Sequence, residues 1–176
     1  MENNNQQPLV PAEGVVQKPP LDQDMVTFVG KNVDYYVLKW AKRDAAGKVN
    51  ATWNGAAFFG GPIWLIYRKM YWQTAVYLLA GTLLSLGIGL VSPGLGSVMN
   101  YLVPIALGFA GNNLYYTKAQ KEVSVLRAQY PSASELDAHL KQRGGTNPTG
   151  AWIAAIVILV IALGIGWTIV QSARGI

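Results

Sequence analysis

The chain has 176 residues, 51% of them apolar and 13% charged, about half the charged share of an ordinary soluble protein. It has no cysteine, which excludes disulfides, thiolate nucleophiles and cysteine metal sites, and its single histidine, His139, excludes a multi-histidine site. The net charge of +5 comes from basic residues that flank uncharged apolar runs, so the expected counterion is the anionic inner-leaflet phospholipid and not nucleic acid.

Residues 1–20 are rich in Asn, Gln and Pro and read as a disordered tail, and "MENNNQQPLV" lacks the basic and apolar regions of a signal peptide. Residues 21–49 form an amphipathic cytoplasmic or interfacial region, with one helix expected from Asp22 to about Arg43. Val26, Val29, Val33, Tyr36, Val37 and Trp40 recur there at three- and four-residue steps, with Asp22 or Asp24 as its cap. Gly47 opens a polar break.

The stretch "WNGAAFFGGPIWLIYRKMYW" follows. Its apolar core, Ala56 to Tyr67, is twelve residues long, about 18 Å as a helix and too short to cross a bilayer. Residues 53–70 are therefore expected to be re-entrant or interfacial, bent at Gly60-Gly61-Pro62 and stopped by Arg68 and Lys69.

Residues 73–91 are uncharged and nineteen long, about 28 Å against a hydrocarbon thickness of ~30 Å. Ser92-Pro93-Gly94 reads as a turn, and residues 98–114 as a second span that closes an antiparallel hairpin. Residues 117–150 form a cytoplasmic helical loop. Ala119, Val123, Leu126 and Tyr130 make one stripe; Pro131 breaks it; Ser134 with Asp137 reads as a capping box, Gly144 as a helix end, and "GGTNPTG" as a flexible linker. Residues 151–170 form a third span with Trp152 and Trp167 near its ends, and 171–176 a periplasmic tail.

The fold class is thus an all-α membrane protein: three transmembrane helices, a re-entrant or interfacial apolar hairpin and an N-terminal amphipathic helix. Basic residues cluster before the first span and between the second and third, while the 92–97 turn has none. The positive-inside rule therefore puts the N-terminus in the cytoplasm and the C-terminus in the periplasm, which leaves the Asn50-Ala51-Thr52 sequon on the side where glycosylation does not occur.

Trp53-Asn54, Ala57-Phe58-Phe59, Gly61-Pro62-Ile63-Trp64 and Tyr67-Arg68-Lys69-Met70-Tyr71, followed after the hairpin by Asn113 and Tyr116, resemble the bacterial membrane family called domain of unknown function 2628. The resemblance covers about residues 50–130, with Trp53, Asn54, Phe58, Phe59, Gly61, Pro62, Trp64 and Tyr67 as its signature. It implies a bacterial inner membrane and no particular activity.

The spans hold no Asp, Glu, His, Lys or Arg, so no catalytic, cofactor or metal residue is assigned and coupled transport is disfavoured. Glu135 and His139, four residues apart, read as a solvated helix face before they read as a metal pair. Gly81, Ser85 and Gly89, and Ala162 with Gly166, form small-residue faces suited to helix contact. Arg68, Lys69, Asn112 and Asn113 are candidates for a lipid headgroup, against snorkelling for the basic pair and backbone capping for the asparagines. The function expected is a non-enzymatic structural or accessory subunit of a larger inner-membrane assembly, acting on a membrane-protein partner or by self-association. The alternative is a lipid-interacting or passive channel-forming homo-oligomer.

Overall fold

The structure, a computed structural model, describes residues 22–41 and 50–174. The expected tail at 1–20, the end of the 22–43 helix, the break at Gly47 and residues 175–176 lie outside the described residues.

The described residues are helical and contain no strand: α1 Gln23–Val29, α2 Val33–Trp40, α3 Gly55–Tyr67, α4 Tyr71–Val91, α5 Pro93–Gln129, α6 Ala133–Arg143 and α7 Pro148–Arg174. Three of them, α4, α5 and α7, are long and apolar enough to cross a membrane. At 37 residues α5 is about 55 Å long, so a membrane of ~30 Å takes only its apolar first part and the rest projects beyond.

The expected single helix at 22–43 is two. Gly30 has φ +65° and Asn32 φ +61°, both left-handed, and the chain turns between α1 and α2. Asp22 caps α1, its Oδ1 accepting from the Asp24 N–H at 3.2 Å. The two short helices still share one buried face: Met25, Phe28 and Val29 from α1, Tyr36 and Trp40 from α2. Three- and four-residue spacing runs straight across the break, which is why it does not show in the periodicity.

Four other boundaries move. The turn expected at Ser92–Ser97 shrinks to Ser92, which ends α4 while Pro93 starts α5. Ser132, not Ser134, occupies the N-cap of α6, and it makes no side-chain cap bond. The "GGTNPTG" segment is largely ordered: Asn147 Oδ1 accepts from the Gly150 N–H at 2.8 Å and α7 starts at Pro148. Residues 171–174 continue α7 and are not a tail.

Within α3, Gly61 departs from helical geometry (φ +46°, ψ −121°), and the Tyr77 hydroxyl lies 3.4 Å from where a Cβ would sit. Pro62 follows, so the backbone breaks where two glycines and a proline meet.

Packing divides the molecule in two. The buried residues of α1, α2, α3, α6 and the second half of α5 form one cluster that includes Phe28, Trp40, Leu65, Met70, Tyr115, Leu126 and Leu140. Outside it, α4 exposes Leu83 (60%) and Leu90 (90%), and α7 exposes Leu163 (65%) and Ile169 (63%). Apolar surface on that scale is incompatible with water and suits a hydrocarbon surround. The chain is a membrane-associated, all-α protein.

The α4–α5 hairpin closes by backbone contact at its tip. A Cβ on Gly96 would lie 2.7 Å from the Gly89 Cα and 3.1 Å from the Ser85 carbonyl oxygen. Gly96→Ala is expected to force the helices apart and cost about 1–3 kcal/mol. Gly164→Ala, with nothing within 4 Å of the new Cβ, leaves stability unchanged or slightly raised. Reversible denaturation of both variants in mixed micelles measures the contrast.

Candidate functional site

The apolar helices converge at one end on the segment from Tyr67 to Tyr71, and many polar groups of the fold gather around it. Asn54 begins this organisation. It is the N-cap of α3, with Oδ1 accepting from the Ala57 N–H at 2.9 Å, while Nδ2 donates to Asn112 Oδ1 on α5 at 2.9 Å. Asn112, fully buried, donates through Nδ2 to Thr52 Oγ1 (2.9 Å) and the Thr52 carbonyl (3.2 Å), and its own carbonyl accepts from Trp40 Nε1 at 2.9 Å. One asparagine pair thus joins α2, α3 and α5, each amide satisfied within the protein.

Arg68 ends α3 and is 2% exposed. Its Nη1 donates to the Val29 carbonyl (3.4 Å) and Nη2 to the Lys31 carbonyl (3.1 Å), the oxygens on either side of the Gly30 turn. The guanidinium lies 4.6 Å from the centre of the Tyr36 ring, 5.1 Å from Tyr115 and 5.5 Å from Tyr67, an aromatic enclosure for a cation. Ion pairs among the described residues lie elsewhere: Arg127 with Asp22 and Asp24, Lys141 with Asp137, Arg143 with Glu122.

Lys118, beyond the apolar part of α5, donates to the Arg68 carbonyl at 3.0 Å and the Lys69 carbonyl at 2.9 Å. A cation there satisfies the last carbonyls of α3 and favours the negative helix end. Burial pushes its pKa down from 10.5 to about 8, partly opposed by Glu122 and reinforced by Lys69 and Arg68. Lys69, at φ +54°, sends Nζ to the Gln142 carbonyl at 2.8 Å. Asn147 completes the junction: its N–H donates to the Tyr67 carbonyl (2.8 Å) and its Nδ2 to the Tyr71 hydroxyl (3.0 Å), docking the start of α7.

A cavity of about 390 Å³ opens beside Arg68, between α2, α3 and the first turn of α7. A second, of about 330 Å³, lies inside the hairpin between Tyr77, Gly81, Ser85, Asn100 and Val103.

Of the candidates for a lipid headgroup, Arg68 and Asn112 are buried against protein, while Lys69 and Asn113 are half-buried at its edge. Gly81 and Ser85 face α5: a Cβ on Gly81 would lie 3.6 Å from Val103 Cγ1, and Ser85 Oγ lies 3.5 Å from Asn100 Oδ1; Gly89 meets α5 through its backbone at Gly96, while a Cβ on Gly89 itself would have nothing within 4 Å. Ala162 and Gly166 are exposed, with nothing within 4 Å of a Cβ placed on Gly166. Among the signature residues, Trp53 packs at a tilt on Phe58 and edge-on against Phe109, beside Gly108, Trp64 is buried, and Phe59 points outward at 86% exposure. Tyr35, Lys118 and Asn147 join the junction without a local sequence signal. His139, the single histidine, stacks on Tyr130 at 3.8 Å.

Two predictions follow from these contacts. Asn54→Ala removes a helix cap and orphans a buried amide, so a loss of about 2–4 kcal/mol is expected. Asn112→Ala acts on the same bond, and a double-mutant cycle should show coupling of about 0.5–3 kcal/mol. Between pH 8 and 10.5 the unfolded chain holds a proton on Lys118 that the folded chain has released. Stability therefore rises with pH across that window. Denaturation midpoints compared with Lys118→Met, which lacks this rise, isolate the effect from other titrating groups.

No curated protein and no solved structure matches the chain. A family model described as "Protein of unknown function (DUF2628)" matches residues 16–121. The match begins earlier than the motif resemblance and takes in α1 and α2, so the partners of Arg68 lie inside the family segment; it stops before α6 and α7. Covering more than half of the sequence, this match makes the chain a member of the DUF2628 family.

Proposed function

We propose that the protein is a non-enzymatic, membrane-embedded accessory subunit that joins a larger inner-membrane assembly through α7. The observation that carries this reading is the state of α7 itself. It packs on α3 near its start, then extends with its apolar residues exposed on every side, and Gly164 and Gly166 have nothing within 4 Å of a Cβ. The other small-residue face, Gly81, Ser85 and Gly89, is already used by α5. Small residues let a neighbouring helix backbone approach closely, and in lipid such packing is a main source of helix association. The buried cations Arg68 and Lys118 are both engaged with backbone carbonyls, which supports a structural use of the charged groups.

Orientation in this reading follows the basic residues. Lys31 and Lys39, Arg68 and Lys69, and Lys118, Lys121, Arg127, Lys141 and Arg143 all flank the junction end of the three long helices. That end faces the cytoplasm, the α4–α5 tip and the end of α7 the opposite side.

Native mass measurement after extraction from membranes in mild detergent tests the assembly. The wild type is expected above the monomer mass, with a partner protein or a second copy. Ala162→Leu combined with Gly166→Leu is expected to return it to the monomer while leaving the denaturation midpoint intact. Wild-type protein recovered solely as a monomer sinks the reading.

A further inference from the structure

The cavity beside Arg68 has the features of an anion site. Arg68 lines it, is almost fully buried, and has no carboxylate partner among the described residues. Nε of the same guanidinium is buried with no hydrogen-bond partner. A buried cation costs several kcal/mol unless paired, and two carbonyls and three aromatic rings offset that without supplying a counter-charge. Among the described residues, none that lines the cavity is acidic. Its polar lining includes Asn32, Tyr35 and Tyr36, side chains able to donate to an oxyanion, whereas a cationic ligand would meet Arg68 with no described carboxylate to balance it.

The remaining wall is apolar: Ala56, Ile63 and Trp64 of α3 and Ala151 of α7 line it. A volume of about 390 Å³ suits a headgroup-sized ligand, not a whole phospholipid. The cleft also sits where α4 and α7 begin, the level at which the phosphates of a bilayer lie relative to a spanning helix.

We propose that this cleft binds a phosphate-bearing anion, with Arg68 as its charge partner, the tyrosine and asparagine rim as its donors, and the Ala56–Ile63–Ala151 wall as the seat of the adjoining hydrocarbon. A planar guanidinium matches a phosphate through two parallel N–H groups, which a lysine at this position does not reproduce. The phosphate is that of an acidic lipid headgroup or of a free phosphate ester, and the two share the chemistry at Arg68. The site goes beyond the assembly reading and does not depend on it, because it lies at the docked start of α7 and not along its free length.

The test uses the full chain, delipidated in detergent and mixed with equal amounts of phosphatidylglycerol and phosphatidylcholine, with lipid adducts read by native mass. One phosphatidylglycerol is expected to be retained at least tenfold over phosphatidylcholine. Arg68→Gln is expected to lose the preference. Because that change also removes fold contacts, Ala56→Trp serves beside it: Ala56 is exposed, so the variant keeps its helical circular dichroism while the indole fills the cleft, and tenfold weaker retention is expected. Millimolar inorganic phosphate that displaces the lipid shows that the phosphate alone suffices and that a free ester is a sufficient ligand. Failure to displace it shows that the lipid is the ligand and that the hydrocarbon contributes. Equal retention of the two lipids by the wild type, or unchanged retention by folded Ala56→Trp, overturns the site.

Discussion

A guanidinium buried without a carboxylate partner among the described residues is the constraint around which one end of this protein is arranged. A continuous helix through residues 22–43 would spend the Val29 and Lys31 carbonyls on N–H groups four residues on. The left-handed Gly30 and Asn32 release those carbonyls, and Arg68 takes them up. The break and the buried cation therefore require one another. An unbroken helix would leave the charge undersolvated, and a chain without Arg68 would leave two carbonyls unpaired in the core. Tyr36 and Tyr115 close over the guanidinium from α2 and α5, so the same residue that ends α3 also fixes where the other two helices lie.

Placing the polar knot at one end has consequences for the long helices. Lys118 holds the end of α3 to α5, Asn147 holds the start of α7 to Tyr67 and Tyr71, and α4 follows immediately. These contacts tie all three apolar helices together at one end. The hairpin adds its own contact at the Gly89–Gly96 approach, while α7 adds none, so beyond the knot its direction is governed by what surrounds it in the membrane. Most of the buried aromatic surface lies at the knot, and the apolar surface beyond it is left for lipid or for a partner helix.

What could be read from the sequence and what could not divides along the same line. Spans are legible because lipid demands long uncharged runs, and the bend at Gly61 is legible because glycine next to proline leaves few alternatives. The break at Gly30 is hidden because the buried stripe Val29, Val33, Tyr36 and Trp40 has helical spacing on both sides of it. Arg68 beside Lys69 looks like a pair of snorkelling cations, and only the three-dimensional return of α1 and α2 over α3 shows that one of them is enclosed. Asn54 and Asn112, 58 positions apart, meet through a pairing that local patterns do not carry. Ser134 with Asp137 shows the opposite error, a capping pattern present in the sequence while the helix starts at Ala133 with Ser132 as its N-cap.

The extent of the family match sharpens the assignment of roles. Val29, Lys31, Tyr36, Asn54, Arg68, Asn112, Tyr115 and Lys118 all lie within residues 16–121, whereas α6 and α7 lie outside. The hydrogen bonds described above for the Arg68 and Asn112 side chains run between residues of that segment. Beyond the segment, Leu126 and Leu140 complete the buried cluster, Asn147 ties the start of α7 to Tyr67 and Tyr71, and Ala151 adds to the cleft wall. The proposed anion site on Arg68 therefore lies mostly within the matched segment, and the proposed partner face on α7 outside it. The two proposals are physically separable, because changing the exposed face of α7 beyond its first turn leaves the hydrogen bonds around Arg68 and Asn112 in place.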